Sequence, residues 1–260
     1  TPKPSSAASD VYKRQVFKMI AEGDTFGVFQ LESEGMKQLL RKMKVSSFND
    51  IVAANALFRP GPMENIPIFL ARKHGLEPIE SLHPDLDSIL APTYGIMIYQ
   101  EQIMQVAQKL AGFSLSKADI LRKAVSKKGS DLMLSLKDEF MSGAINNGYS
   151  KELATKVFDL IEKFANYGFN KSHSVAYAYI AYQMAYLKVH YPLEFFAALI
   201  TSEAGSTSSK LSLIQEGRKY GVALLPPSIN RSTDRFEVED GNIRYLSLIH
   251  ISEPTRLQLI

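Results

Sequence analysis

The sequence predicts a mainly α fold: a long helical block followed by the start of a small β-containing segment. Three observations carry this. Apolar residues recur at helical spacing from Ser33 to Ile200, and Pro, Gly and Ser residues punctuate that pattern where helices would start and stop. Beyond "EAGSTSS" (203–209), a linker by composition, short runs read as strands. At 260 residues, 45% hydrophobic and 22% charged, the chain is globular in composition, with room for one large or two modest domains.

Met36, Leu39, Leu40 and Met43 fall at i, i+3, i+4 and i+7, with Lys37, Arg41, Lys42 and Lys44 elsewhere, so an amphipathic helix with a basic face begins near Ser33. Ser47 caps a second helix over "FNDIVAANALF". It stops at Arg59, because Pro60-Gly61-Pro62 cannot continue it and suits a type II turn. In "HPDLDSIL" (83–90) Asp85 and Asp87 look like a metal-binding pair, but Pro84 and the acidic residues fit the first turn of a helix better. "TYGIMIYQEQIMQVAQKLAG" starts extended and turns helical near Gln100, with Gly112 as its end. The next helix is capped by Ser114 or Ser116 and stopped by Gly129. Two more follow, over about 131–146 and over about 150–165 behind Ser150.

From 173 to 200 two helical pieces are broken before Pro192. The first carries two apolar stripes, Val175-Tyr179-Tyr182-Tyr186 and Tyr177-Ile180-Met184-Leu187, which predict a helix buried on both faces. It is too short an apolar run for the ~20 residues of a bilayer span. "GVALLPPSIN" and "RFEVEDGNIRYL" read as strands, the latter folded at Asp240-Gly241 into a hairpin.

The two ends differ from the rest. Residues 1–15 carry no apolar period, and residues 246–260 break a strand pattern without a turn. Both "SAASDVYKRQ" and "LSLIHISEPTRL" are similar to translated sequencing-adaptor read-through. The expected organisation is a non-native leader (1–15), a helical domain (16–204), the start of a β-containing segment (205–245) and a non-native tail (246–260). The net charge of +3 owes a surplus of two to the leader, so global charge implies no particular partner.

There is no cysteine, which excludes disulfides and thiolate metal sites and fits a reducing, cytoplasmic setting. The five histidines form no zinc-ligand spacing, and no phosphate-loop, dinucleotide or nucleophile-elbow motif occurs. The chemistry that can be read lies in basic helix ends. Lys171, Ser172 and His173 precede the aromatic helix, Ser172 as its cap, and the free amides of a first turn favour phosphate or carboxylate. "LRKAVSKK" sets Arg122, Lys123, Lys127 and Lys128 on a second helix end that could converge on the same polyanion. Taken singly, each cluster reads more readily as the solvated end of an ordinary helix.

Six stretches in one order then carry a resemblance: "GVFQLESEGM" (27–36), "ALFRPGPM" (56–63), "TYGIMIYQEQIM" (93–104), "AGFSLSKADILRKAVSKK" (111–128), the run from Phe164 to Ile200, and "LLPPSIN" (224–230). Over 16–245 the chain resembles the bacterial replicative DNA polymerase III alpha subunits, the C-family polymerases. The resemblance implies the helical fingers domain of a DNA-directed DNA polymerase, gripping the incoming dNTP and the template. It implies nucleotide contacts from Arg122, Lys123, Lys127, Lys128, Tyr167, Phe169, Asn170, Lys171, Ser172 and His173, and DNA contacts from Lys37, Arg41 and Arg59.

It implies also that magnesium is held by palm aspartates that would precede residue 16 and that Asp85 and Asp87 do not match. The chain by itself is therefore expected to be inactive. Implied partners are primer–template DNA, dNTP and, in the parent protein, a sliding clamp and other replisome subunits, with no membrane. An error-prone paralogue is a further member that these residues fit. The alternative of another class is a non-catalytic helical module that binds nucleic acid or protein through the basic face around Lys37 and Arg41.

Overall fold

The protein, seen in a computed structural model, is described over residues 6–125, 131–164, 168–203 and 207–247. Among these the chain forms α1 (Ser6–Ala21), α2 (Glu34–Met43), α3 (Phe48–Leu57), α4 (Ile66–Lys73), α5 (Pro84–Leu90), α6 (Gln100–Ala111), α7 (Leu115–Val125), α8 (Asp131–Asn146), α9 (Lys151–Phe164), α10 (Lys171–His190), α11 (Pro192–Ser202) and α12 (Thr207–Lys219). Three short strands follow, β1 (Leu224–Leu225), β2 (Glu237–Glu239) and β3 (Asn242–Arg244). Two compact units divide the chain: residues 42–179, and residues 1–41 with 180–260.

In the first unit, α3 opens where the sequence places it. Asp50 N–H donates to Ser47 Oγ at 3.3 Å, and the Asp50 carboxylate accepts from the Ser46 and Ser47 amides at 2.8 and 3.0 Å, a reciprocal capping box. Its other oxygen takes Lys73 Nζ at 2.6 Å, with both side chains almost wholly buried. Past α3, Gly61 has φ 98°, as a glycine turn requires, but ψ −74°, well away from the value near 0° of the expected type II turn. A 3-10 turn over Pro62–Asn65 follows at once.

α5 starts at Pro84 with His83 Nδ1 accepting from the Asp85 amide at 3.3 Å. Asp85 receives the Tyr149 hydroxyl at 2.6 Å and Asp87 the Ser81 hydroxyl at 2.6 Å, so the two carboxylates have separate partners. The core is α6 packed on α7 and α8, with α8 on α9. Phe140 joins Phe113 and Phe158 there by tilted and edge-on ring contacts. Gly143 permits the closest approach, since a Cβ at that position would lie 2.4 Å from the Ala111 carbonyl oxygen. Of the two cap candidates for α7, Ser114 serves, accepting from the Lys117 amide at 3.2 Å; Gly129 lies outside the described residues. Ser150 caps α9 as expected.

In the second unit, α1 and α12 lie where the sequence reading marked no helix. α1 begins at Ser6, inside the stretch read as a leader without an apolar period; residues 11–15 are exposed, and Val16, Met19 and Ile20 supply its buried face. α12 occupies 207–219, within the stretch expected to be β-containing. Only Leu213, Glu216 and Gly217 of it are buried, too few to mark a stripe. The sheet itself is as read, with order β1-β3-β2 and Asp240-Gly241 turning β2 into β3 with φ of 50° and 74°.

α10 is not buried on two apolar faces. Its buried positions are Ser174, Ala178, Ala181, Ala185 and Lys188, while Val175, Tyr179, Ile180 and Leu187 are exposed. Small side chains let neighbouring backbone come close, and the large ones are left on the flanks.

Lys188 is the one fully buried lysine among the described residues. Its ammonium donates to the Asp24 and Phe26 carbonyls at 3.0 and 3.1 Å and to Glu216 Oε1 at 3.0 Å, beside Asp24 Oδ1 at 3.3 Å. The Tyr220 hydroxyl donates to Asp24 Oδ2 at 2.6 Å. Burial alone would raise the Asp24 carboxyl, but the hydrogen bond from Tyr220, helped by Glu216 and Lys188, brings it below its ordinary value. Burial and the Asp24 charge push the Tyr220 hydroxyl up.

Two outcomes follow for this unit. Lys188→Ala should lose about 3–5 kcal/mol in urea unfolding, the cost of taking the buried cation from Glu216 and from the two loop carbonyls it satisfies, with Glu216 left to the exposed Lys219 alone, and Lys188→Met with Glu216→Met should recover most of it. Glu239, bonded to Arg244 and Arg231, is held at a pKa of about 2. Its folded value lies below its unfolded one, so its contribution is present above about pH 4.5 and disappears as pH falls towards 2. In chemical denaturation at successive pH values, wild type and Glu239→Gln should differ at pH 7 and converge near pH 2.

Candidate functional site

The site is built outward from a buried side-chain amide in the first unit. Gln102 Oε1 accepts the Ile98 and Tyr99 amides at 2.8 and 3.0 Å, and its Nε2 donates to Ile89 O at 3.1 Å and Thr93 Oγ1 at 2.7 Å. All four bonds of the side chain are internal, so the segment leading into α6 is fixed. That segment pairs with the chain ahead of α10: Phe169 N–H donates to Ile98 O at 3.0 Å and Gln100 N–H to Phe169 O at 2.9 Å, a parallel bridge between Tyr99 and Phe169. Gln100 Nε2 adds a bond to Gly168 O at 2.9 Å, and Gln100 Oε1 accepts from Arg122 Nη1 at 3.1 Å. One glutamine thus joins the end of α7 to the start of α10.

The cap of α10 differs from expectation. Asn170, not Ser172, holds the position: its Oδ1 accepts the His173 amide at 2.8 Å and the Ser172 hydroxyl at 2.6 Å. Asn170 stands one residue ahead of the helix and so reaches the third amide, whereas Ser172 is already inside the first turn. The anion position predicted there is filled by the protein itself. Both oxygens of Glu101 accept the Lys171 amide, at 3.1 and 2.9 Å.

Around this junction the rings and cations alternate. The Arg59 guanidinium lies 3.9 Å from the centre of the Phe169 ring, the His173 ring is edge-on to Phe169 at 5.5 Å and tilted over Tyr177 at 4.1 Å, and Lys171 Nζ is 5.5 Å from the Tyr99 ring centre. Tyr99 is buried, and burial followed by the Glu101 charge pushes its hydroxyl up. On α7, Asp119 receives Lys123 at 2.7 Å and Arg122 at 2.8 Å, and these hydrogen bonds hold its carboxyl below the usual range.

Of the residues the sequence points to, Arg122, Phe169, Asn170, Lys171, Ser172 and His173 are brought to one place, with Lys123 on the same Asp119 as Arg122. Lys127, Lys128 and Tyr167 lie outside the described residues. Arg59, expected on the DNA side, joins this cluster through Phe169. Lys37 and Arg41 belong to the other unit. There Lys37 Nζ is 5.4 Å from the Phe26 ring centre, and Arg41 bonds Glu22 O and Glu34 at 3.0 and 3.3 Å.

Sequence reasoning missed Gln100, Glu101 and Asp119. Their signal was present: two polar residues opening α6 directly after an apolar run, and an acid three and four residues ahead of Arg122 and Lys123. Chemically, Asp119 holds the Arg122 and Lys123 side chains and Glu101 holds the Lys171 amide, so each carboxylate occupies hydrogen-bond donors that an oxyanion could use.

Because Glu101 competes for the Lys171 amide, Glu101→Ala should tighten binding of inorganic tripolyphosphate by about 1–2 kcal/mol, roughly five- to thirtyfold, in calorimetric titration at low salt. The gain should shrink as ionic strength rises.

Residues 6–148 match the family described as the bacterial DNA polymerase III alpha subunit finger domain. The DNA polymerase III subunit alpha of Bacillus subtilis (strain 168) is 51% identical over 231 residues, which cover 89% of this chain and 21% of that protein. Those of Aquifex aeolicus (strain VF5) and Borreliella burgdorferi (strain ATCC 35210) are each 50% identical, over 88% and 89% of this chain and 20% of their own length. The chain thus spans about a fifth of the length of the curated relatives it matches. With more than half of its residues under one family model and half of its positions shared with these relatives, the chain belongs to the bacterial DNA polymerase III alpha subunit finger-domain family.

Proposed function

We propose that the chain forms the fingers of a DNA-directed DNA polymerase and that the junction of α6, α7 and α10 receives the triphosphate of the incoming dNTP. The observation that carries this reading is the bridge Arg122–Gln100–Gly168/Phe169, which gathers two basic helix ends onto one exposed surface. Lys171 and Arg122 neutralise phosphate charge, the α10 amides donate to an oxyanion, and Arg59 and Phe169 offer a stacked plane to a base. Lys127, Lys128 and Tyr167 belong to the same reading by sequence.

The divalent metal of such a polymerase, magnesium in this reading, supplies Lewis-acid activation of the phosphoryl group when bound. Among the described residues no group of three or more metal-ligating side chains exists, and Asp85 and Asp87 are engaged elsewhere. These residues do not fit the metal, and positioning and charge neutralisation are what they contribute.

Primer–template DNA is the second ligand, with a sliding clamp and other replisome subunits as partners of the parent protein in the cytoplasm. No described helix is long and apolar enough to cross a membrane. The basic face of α2 is the weaker DNA contact, because Arg41 already serves Glu22 and Glu34.

In the full-length polymerase, Lys171→Ala should raise the apparent KM for dNTP roughly tenfold to a hundredfold, the worth of one charge-assisted bond of ~1.5–3 kcal/mol, and leave DNA affinity nearly unchanged. Steady-state kinetics and a DNA titration on the same variant decide it. Equal losses for both ligands would reduce the cluster to a general basic surface.

A further inference from the structure

Asn55 is the only described residue whose buried side-chain N and O atoms both lack a hydrogen-bond partner. It is 9% exposed and sits in α3, where every residue from Asp50 to Leu57 is buried. An apolar side chain of the same shape would fill that space without leaving donors and acceptors idle, so an idle amide asks what it pairs with in another state.

Its position supplies the answer. Three residues before it, the Val52 carbonyl accepts the Ser174 hydroxyl of α10 at 2.6 Å; four residues after it, Arg59 stacks on Phe169. Val52 and Asn55, three apart in one helix, share a side of it, and a helical side chain leans over the preceding turn, here towards the Val52 carbonyl; Arg59 follows just past the helix end. Helix geometry thus puts the Asn55 side chain on the side of α3 that carries the attachment of Ser174.

That first turn is held in place by two contacts: the Lys171 amide on Glu101 and the Ser174 hydroxyl on Val52 O. An oxyanion that takes the Lys171 amide from Glu101 releases the first contact and lets the turn re-seat.

We propose that Asn55 is a positioning residue for the nucleotide: on binding, the Ser174 hydroxyl passes from the Val52 carbonyl to the Asn55 carboxamide, which locks the re-seated start of α10. This rests on the reading of that helix start as the dNTP triphosphate site. The Val52 carbonyl keeps its helical bond, so nothing is left unpaired by the exchange. The polar amide is idle without nucleotide and satisfied with it, so its pairing energy appears only as nucleotide affinity.

The test uses the full-length polymerase. Asn55→Leu should leave the unfolding midpoint unchanged or raised, because an unpaired polar group is removed, and should raise the KM for dNTP about tenfold with kcat within about twofold. Ser174→Ala should raise KM similarly, and the double variant should do no more than either alone, since both cut the same bond. Hydrogen exchange should show dNTP slowing the amides of residues 168–174 in wild type but not in Asn55→Leu.

An unchanged KM in Asn55→Leu, or additive effects in the double variant, would overturn the proposal. So would a midpoint lowered in both Asn55→Leu and Asn55→Ser, because that would mean the amide has a partner before nucleotide arrives. If Lys171→Ala leaves KM unchanged, the site reading itself fails; if it raises KM while Asn55→Leu does not, only the role of Asn55 fails.

Discussion

A single carboxamide, that of Gln102, sets the frame on which the site depends. Its oxygen takes two consecutive amides, Ile98 and Tyr99, that have just left an extended run, and its nitrogen ties that turn back to Ile89 and Thr93. A buried amide with every bond made is rigid, because any displacement strands several polar groups at once. The Phe169 bridge, the Gln100 link to Arg122 and the Glu101 contact with α10 all hang from residues within four positions of it. Lys188 plays the equivalent part in the other unit, gathering the loop after α1 and the face of α12 onto one ammonium.

Most of the helical architecture was legible because helix signals are local. Ser47, Ser114 and Ser150 cap by reaching amides three residues on, and a reader of sequence sees both partners. What failed to read was decided by distant neighbours. Alanine carries no strong sign in a periodicity argument, so the real buried face of α10 was hidden behind its larger tyrosines. A lysine reads as surface, and nothing near Lys188 in sequence announces Asp24 or Glu216. α12 buries too little apolar surface to show a stripe.

The site was legible in its cations and illegible in its carboxylates. Lys171, His173 and Arg122 stand out as basic residues at helix ends, and the fold does bring those ends together. Glu101 and Asp119 are ordinary helix residues until the chain closes and each meets the donors it will hold. Asn170 and Ser172 are both good caps, and only the register of α10 chooses between them.

The self-neutralised cluster has a consequence for ionic selectivity. A chloride or acetate arriving at α10 offers one charge against a tethered carboxylate already in place, whose effective concentration no free monovalent ion matches. A chain of linked phosphates brings several charges at once, and can engage Lys171, Arg122 and the helix amides before Glu101 has let go. In the proposed triphosphate site the protein's own acid would act as a threshold on valence, favouring a ligand that bears consecutive charges over simple monovalent salts.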